Sequence, residues 1–271
     1  MTDAPDSARP TALVTGASSG IGAEYARQLA ARGYGLVLVA RDVQRLEALA
    51  VHLGSRHGVP VEVLPADLSD RAQVERVAER LCQAENPVDL LVNNAGYGLG
   101  TTFLEADLAA EEDSLAVMVR AVMVLCQAAA RSMRERGHGA IVNISSVASL
   151  LPYSTYGAHK AWVARFSEGL EVELQGTGVT VQAALPGLTR TEFHERSGQE
   201  IDALPGALWL TPQQVVAESL AGLERGEGRC VPGRLYRVAT ALLPRLPRRL
   251  VMAGFAAAEA RGASGRRRLE P

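Results

Sequence analysis

The sequence predicts an α/β fold, a single doubly wound domain with a central, mostly seven-stranded parallel sheet flanked by helices. Three observations lead there. Short apolar runs rich in branched residues alternate with longer amphipathic stretches, the pattern of βαβ units. The runs are apolar almost throughout, as strands must be when helices cover both faces of their sheet. The chain has 271 residues, 47% of them hydrophobic, enough to bury about three quarters of its unfolded surface in one large domain.

Taken in order, residues 11–15 (TALVT) form the first strand. Further strands follow at 35–39 (GLVLV), 61–64 (VEVL), 88–92 (VDLLV), 140–144 (AIVNI) and 179–184 (VTVQAA), with a seventh at 229–231. Amphipathic helices fill the intervals near 21–32, 42–54, 70–84, 107–136, 156–175 and 212–225. No internal repeat interrupts them. Right-handed crossovers then place a ligand crevice at the carboxyl ends of the strands. Residues 189–209, with Gly198, Pro205 and Gly206, break the rhythm; an irregular insertion of this length reads as a substrate lid. Residues 234–271 form a basic C-terminal extension with nine arginines against Glu259 and Glu270.

The bulk numbers exclude several classes. Net charge is −2, and no aromatic and basic interleaving suggests nucleic acid. No window holds the roughly 18 uninterrupted apolar residues of a membrane span. The polar start lacks an apolar signal core, and Cys82, Cys126 and Cys230 form no CxxC pair. Reduced thiols in a cytoplasmic protein are therefore expected. The histidines at 52, 57, 138, 159 and 194 lack metal-ligand spacing, so no metal site is expected.

Between the first strand and the first helix lies TGASSGIG, residues 15–22, with Gly16, Ser18, Ser19, Gly20, Ile21 and Gly22. Glycines there allow a tight turn and a close backbone approach, and the helix start offers free N–H groups to a phosphate. The second strand ends at Ala40 and Arg41, where a carboxylate would be expected for a ribose hydroxyl. A guanidinium can instead grip a 2′-phosphate, which favours NADP; pairing of Arg41 with Asp42 is the bland alternative. Asp67 stands where it could accept from an adenine amino group, beside a helix cap signal at Ser69 or Asp70. At the end of the fourth strand, Asn93 and Asn94 can satisfy loop backbone, while Gly96 lets the chain pass close to a cofactor.

Lys160 is the single lysine among 28 basic residues. A chain so biased to arginine keeps lysine where a compact ammonium with a movable pKa is required. Tyr156 lies one helical turn earlier, so both side chains share a face. A nearby cation stabilises phenolate, and a phenol so tuned can exchange a proton with a carbonyl or alcohol oxygen. Ser146, after the fifth strand, would hold that oxygen.

These residues together resemble the short-chain dehydrogenase/reductase family, a Rossmann-type fold, over roughly residues 11–193. Its TGxxxGxG, NNAG and YxxxK motifs match at 15–22, 93–96, and Tyr156 with Lys160. The resemblance implies Ser146, Tyr156 and Lys160 as catalytic residues, with Lys160 also on the nicotinamide ribose. It implies cofactor contacts from the glycine-rich turn, Arg41, Asp67, Leu68, Asn94, Ala95, Gly96, Tyr156 and Lys160. Pro186, Gly187, Thr189 and Thr191 look like the family's loop over the nicotinamide carboxamide. It also implies a homo-dimer or homo-tetramer acting on a small carbonyl or alcohol. Two departures stand out. The family's catalytic asparagine is replaced by Met118, and the interval from Ser146 to Tyr156 is about three residues short. They leave an alternative, a catalytically impaired nucleotide-binding sensor or scaffold. For the basic extension, a helix packed over the substrate pocket with solvated arginines is favoured over contact with an anionic membrane surface.

Overall fold

The computed structural model describes residues 9–152, 154–193 and 205–245, with a few isolated positions up to 252. Seven parallel strands form one sheet in the order β3-β2-β1-β4-β5-β6-β7. They are β1 (Thr11–Thr15), β2 (Gly35–Val39), β3 (Val61–Val63), β4 (Leu90–Asn93), β5 (Gly139–Ile144), β6 (Val179–Ala184) and β7 (Arg229–Cys230). The connecting helices are α1 (Gly20–Ala31), α2 (Val43–His57), α3 (Arg71–Leu81), α4 (Leu108–Leu115), α5 (Ala121–Arg136), α6 (Ser154–Glu173) and α7 (Pro212–Glu224). A last helix, α8 (Arg234–Leu242), opens the C-terminal extension.

Two apolar layers sandwich the sheet. On one side Tyr25, Leu29, Leu46, Leu53, Val216 and Leu220 from α1, α2 and α7 pack on the strands. On the other, Val77, Leu81, Leu125 and Met133 from α3 and α5 do so. All five residues of β2 are buried, which is why it reads as an unbroken apolar run.

Helix boundaries follow local chemistry. Asp42 caps α2, Asp70 caps α3, Asp107 caps α4 and Thr211 caps α7, each through its side chain. Of the two candidates at the start of α3, Asp70 is therefore the cap. The expected helix 107–136 is interrupted by a π-helical turn, Ala116–Arg120, between α4 and α5. Periodicity does not reveal it, because the widened turn keeps helical backbone on both sides. Leu108–Arg136 is long and apolar enough by composition to cross a membrane, yet 61% of its most apolar window is buried in the fold. It is a core helix.

The strand order reverses between β1 and β4, which opens a crevice at their carboxyl ends. Asn94 bridges the two: its backbone N–H donates to Thr15 Oγ1 at 2.9 Å, and its side-chain amide donates to the carbonyls of Thr15 and Gly16 at 3.0 and 3.3 Å. Beneath it, paired Asn93 and Asn143 share a buried hydrogen bond of 2.9 Å, continued by Asn143 to Ser167 at 2.9 Å. These bonds tie α6 to the sheet below the crevice.

The insertion at 189–209 is stitched at its base. Arg190 N–H donates to Leu210 at 2.9 Å and Leu210 N–H to Leu188 at 2.8 Å. Its middle, 194–204, lies outside the described residues, as do His194 and the extension's last part, 253–271.

Candidate active site

The glycine-rich turn leaves β1 at the crevice. Gly20 has φ +55, a conformation natural to glycine. Gly22 allows the closest approach, since a Cβ there would lie 2.2 Å from the Gly16 carbonyl oxygen. Ser19, the N-cap of α1, makes no side-chain capping bond, and no acidic residue occupies the first turn. The first N–H groups of α1 are thus left for another acceptor, and the helix dipole favours an anion.

Arg41 follows β2 and is mostly exposed. Its guanidinium is 3.8 Å from Asp67 rather than paired with Asp42. Asp42 is engaged otherwise, accepting from Arg45 N–H at 3.0 Å. The bland pairing of Arg41 with Asp42 is therefore replaced by one with Asp67, because the helix cap draws the Asp42 carboxylate away. Asp67 also accepts from Ser69 N–H and Oγ at 2.9 and 2.8 Å. Arg41, Ala66, Asp67, Gln73 and Arg76 line an open hollow of about 430 Å³, and Leu68 beside them is buried.

The two serines after β5 separate cleanly. Ser145 is buried and donates to the Lys160 carbonyl at 2.7 Å, a bond that pins α6. Ser146 is partly exposed, accepts from Ala148 N–H at 3.1 Å, and reaches the Pro186 carbonyl at 3.5 Å.

Lys160 is 4% exposed. Its ammonium donates to the Ile144 carbonyl at 2.8 Å and lies over the Tyr156 ring, 5.7 Å from the centroid. Burial holds its pKa down to about 8. On the far side is Gly96: a Cβ there would be 3.1 Å from Met118 Sδ and 3.4 Å from Lys160 Nζ. Met118 is fully buried in the π-helical turn, with its thioether against the backbone at Gly96. Next to Lys160, His159 is buried, and its pKa is lowered by that burial despite the Glu111 carboxylate.

The loop after β6 roofs the site. Thr191 packs its methyl against Gly20, 3.2 Å from where a Cβ would stand. Phe193 sets its ring against Tyr156, with centroids 5.5 Å apart. Thr189 is buried and donates to the Gly187 carbonyl at 2.9 Å. Tyr236 of α8, absent from the sequence expectations, fills the space over Gly187. Its hydroxyl accepts from Leu188 N–H at 3.0 Å and donates to the Leu208 carbonyl at 2.7 Å. No local signal marks this tyrosine, since its partners lie far away in sequence. Among the described residues no cluster of three His, Cys, Asp or Glu could hold a metal ion.

The chain matches the family model of short chain dehydrogenases over residues 10–202. It is 38% identical over 217 residues to a sulfoacetaldehyde reductase of Chromohalobacter salexigens, covering 78% of this chain and 85% of that protein. A short-chain dehydrogenase from Sphingobium yanoikuyae, solved in complex with NADPH, superposes with a TM-score of 0.79 at 39% identity, covering 88% of this chain and 96% of that one. One from Burkholderia phymatum, in complex with NAD, superposes with a TM-score of 0.76 at 25% identity, covering 86% and 92%. Fold, crevice and sequence agree, and the chain belongs to the short-chain dehydrogenase family of oxidoreductases.

Proposed function

We propose that the protein is an NADP(H)-dependent oxidoreductase interconverting a carbonyl and a secondary alcohol, with Tyr156 as general acid and base. The observation that carries this reading is the Lys160 ammonium over the Tyr156 ring at the mouth of the crevice. Bound nicotinamide supplies or accepts the hydride. Tyr156 gives the proton to the carbonyl oxygen in reduction and takes it in oxidation. Lys160 favours the phenolate form and holds the nicotinamide ribose, while Ser146 donates a hydrogen bond to the substrate oxygen. Phe193, its ring against Tyr156, shields the exchange from water.

The residues present fit the dinucleotide. The uncapped start of α1 and the close pass at Gly22 suit a pyrophosphate, with Ser18, Ser19, Gly20 and Ile21 around it. Arg41 serves the 2′-phosphate, its weak exposed pair with Asp67 being easily exchanged. Asp67 and Leu68 border the adenine. Asn94, Ala95 and Gly96 pass beside the nicotinamide ribose, and Pro186, Gly187, Thr189 and Thr191 cover the carboxamide. The three free cysteines support a reducing, cytoplasmic setting. Exposed Leu108, Leu115 and Met123 on α4 and α5 support assembly of like copies.

The test is turnover of NADPH and NADH with a panel of aldehydes and ketones, for the wild type and Tyr156→Phe. We expect NADPH-linked reduction that falls about 10²–10⁴-fold in the variant with cofactor binding kept. One observation favours a second reading, a nucleotide-binding sensor: the buried Met118 thioether beside Lys160. Tight NADPH binding with no turnover on any carbonyl would establish that reading instead.

A further inference from the structure

We infer that the outward face of α8 docks on an anionic lipid surface. The inference does not depend on the cofactor or on the reaction proposed above. A helix on a soluble domain ordinarily turns its apolar stripe to the core. In α8 the apolar stripe looks away from it. Tyr236, Thr240 and, just past the helix end, Leu243 make up the half-buried side that rests on the body. Leu235, Val238 and Leu242, at spacing i, i+3, i+7, make up a second stripe. They are 51%, 59% and 54% exposed, and no residue of the helix is buried.

This orientation is fixed by attachments. Gly233 N–H, just before the helix, donates to the Glu218 carboxylate at 2.9 Å, and the Arg237 guanidinium lies 3.7 Å from the same carboxylate. Tyr236 is bonded to Leu188 and Leu208. Turning the leucines inward would break these bonds, so the stripe stays in solvent until something covers it.

Charge and area identify the cover. Arg234 flanks the stripe, and Arg245 and Arg249 follow it, all exposed. Among the described residues none of the three is in an ion pair. Residues 234–271 hold nine arginines against two glutamates. Three half-exposed aliphatic side chains offer only a few hundred Å², well below the roughly 800 Å² per partner of a stable protein interface. A lipid surface needs no matching groove: it takes the aliphatic side chains between its headgroups while its anionic phosphates meet the arginines. The apolar stripe and the basic flank are the two signals that such binding requires. Because the same helix braces Gly187 through Tyr236, docking sets the roof of the crevice beside the bilayer.

Flotation of the full-length protein with vesicles tests this, using equal parts phosphatidylglycerol and phosphatidylcholine against phosphatidylcholine alone. The wild type should float with the anionic vesicles, and about 1 M salt should release it. Joint substitution Leu235→Ser, Val238→Ser and Leu242→Ser should weaken binding at least about tenfold, with unfolding midpoint and NADPH affinity unchanged. Arg234→Gln and Arg249→Gln should each weaken it about fivefold. Equal flotation with neutral vesicles, or undiminished binding by the serine variant, overturns the inference. So does a wild type that ignores both vesicles; if the serine substitutions then also lower the sedimentation coefficient, the stripe joins copies of this chain instead.

Discussion

The ring of Tyr236 stands where Gly187 would carry a side chain: a Cβ on Gly187 would lie 2.1 Å from its nearest ring carbon. The first helix of the C-terminal extension therefore braces the loop that roofs the crevice. The apolar side chains Leu235, Val238 and Leu242 of the same helix remain exposed.

Tyr236→Phe keeps the ring but removes the hydroxyl that joins Leu188 to Leu208. We expect the KM for NADPH to rise several-fold with kcat changed less, and stability to fall by about 1 kcal/mol. Steady-state kinetics and urea unfolding check it. An unchanged KM would show that the brace does not serve the cofactor.

Ser145 and Ser146 should differ sharply. Ser146→Ala should lower kcat about 10²-fold and cost about 1 kcal/mol of stability, since its partly exposed hydroxyl also caps the turn that follows by accepting from Ala148 N–H. Ser145→Ala should cost about 1–3 kcal/mol of stability, because it leaves the Lys160 carbonyl without its buried donor. Reversed results would exchange the roles.

Lys160 is held in its site at a cost. Its folded-state pKa of about 8 lies below the ordinary value of 10.5, through burial. Between those values the unfolded chain binds the extra proton, so stability rises with pH across this window, and the full cost is present below about 8. The shift corresponds to about 3 kcal/mol at most. Lys160→Met should thus stabilise the protein by about 1–3 kcal/mol at pH 7, lose that gain above pH 10, and abolish turnover. Chemical unfolding at both pH values decides it. Wild-type carbonyl reduction should fall as pH rises above about 8, with the apparent value belonging to the Tyr156–Lys160 pair.

Met118→Asn places an amide where the thioether now lies against Gly96, on the same side of that glycine as the Lys160 ammonium. If proton supply limits turnover, kcat should rise about tenfold and the solvent isotope effect should shrink. A burial cost of about 1–3 kcal/mol accompanies it. An unchanged kcat would mean that protons reach Lys160 by another path.

Gly22→Ala should abolish NADPH binding or require the turn to open, because the added carbon would meet the Gly16 carbonyl at 2.2 Å. Calorimetry with NADPH tests it, and retained affinity would place the phosphates elsewhere.

The strands were legible because burial on both faces leaves unbroken apolar runs, and the helices because only one face of each is buried. TGASSGIG, NNAG and YxxxK were legible because backbone clearance and helical spacing are local properties. The lone lysine pointed to Lys160 for a chemical reason that composition alone carries. Contacts between distant segments were not legible. Tyr236 over Gly187, and Asp67 rather than Asp42 beside Arg41, depend on how loops return over the sheet edge. Their side chains obey no period, and competing partners differ by amounts that only the packed geometry resolves. The same holds for the π-helical turn at Met118 and for the division of labour between Ser145 and Ser146. Local sequence determined the strands, the tight turns and the helical spacings; tertiary packing decided which distant side chains touch, because a contact's energy depends on burial and distance, and neither is a property of one segment.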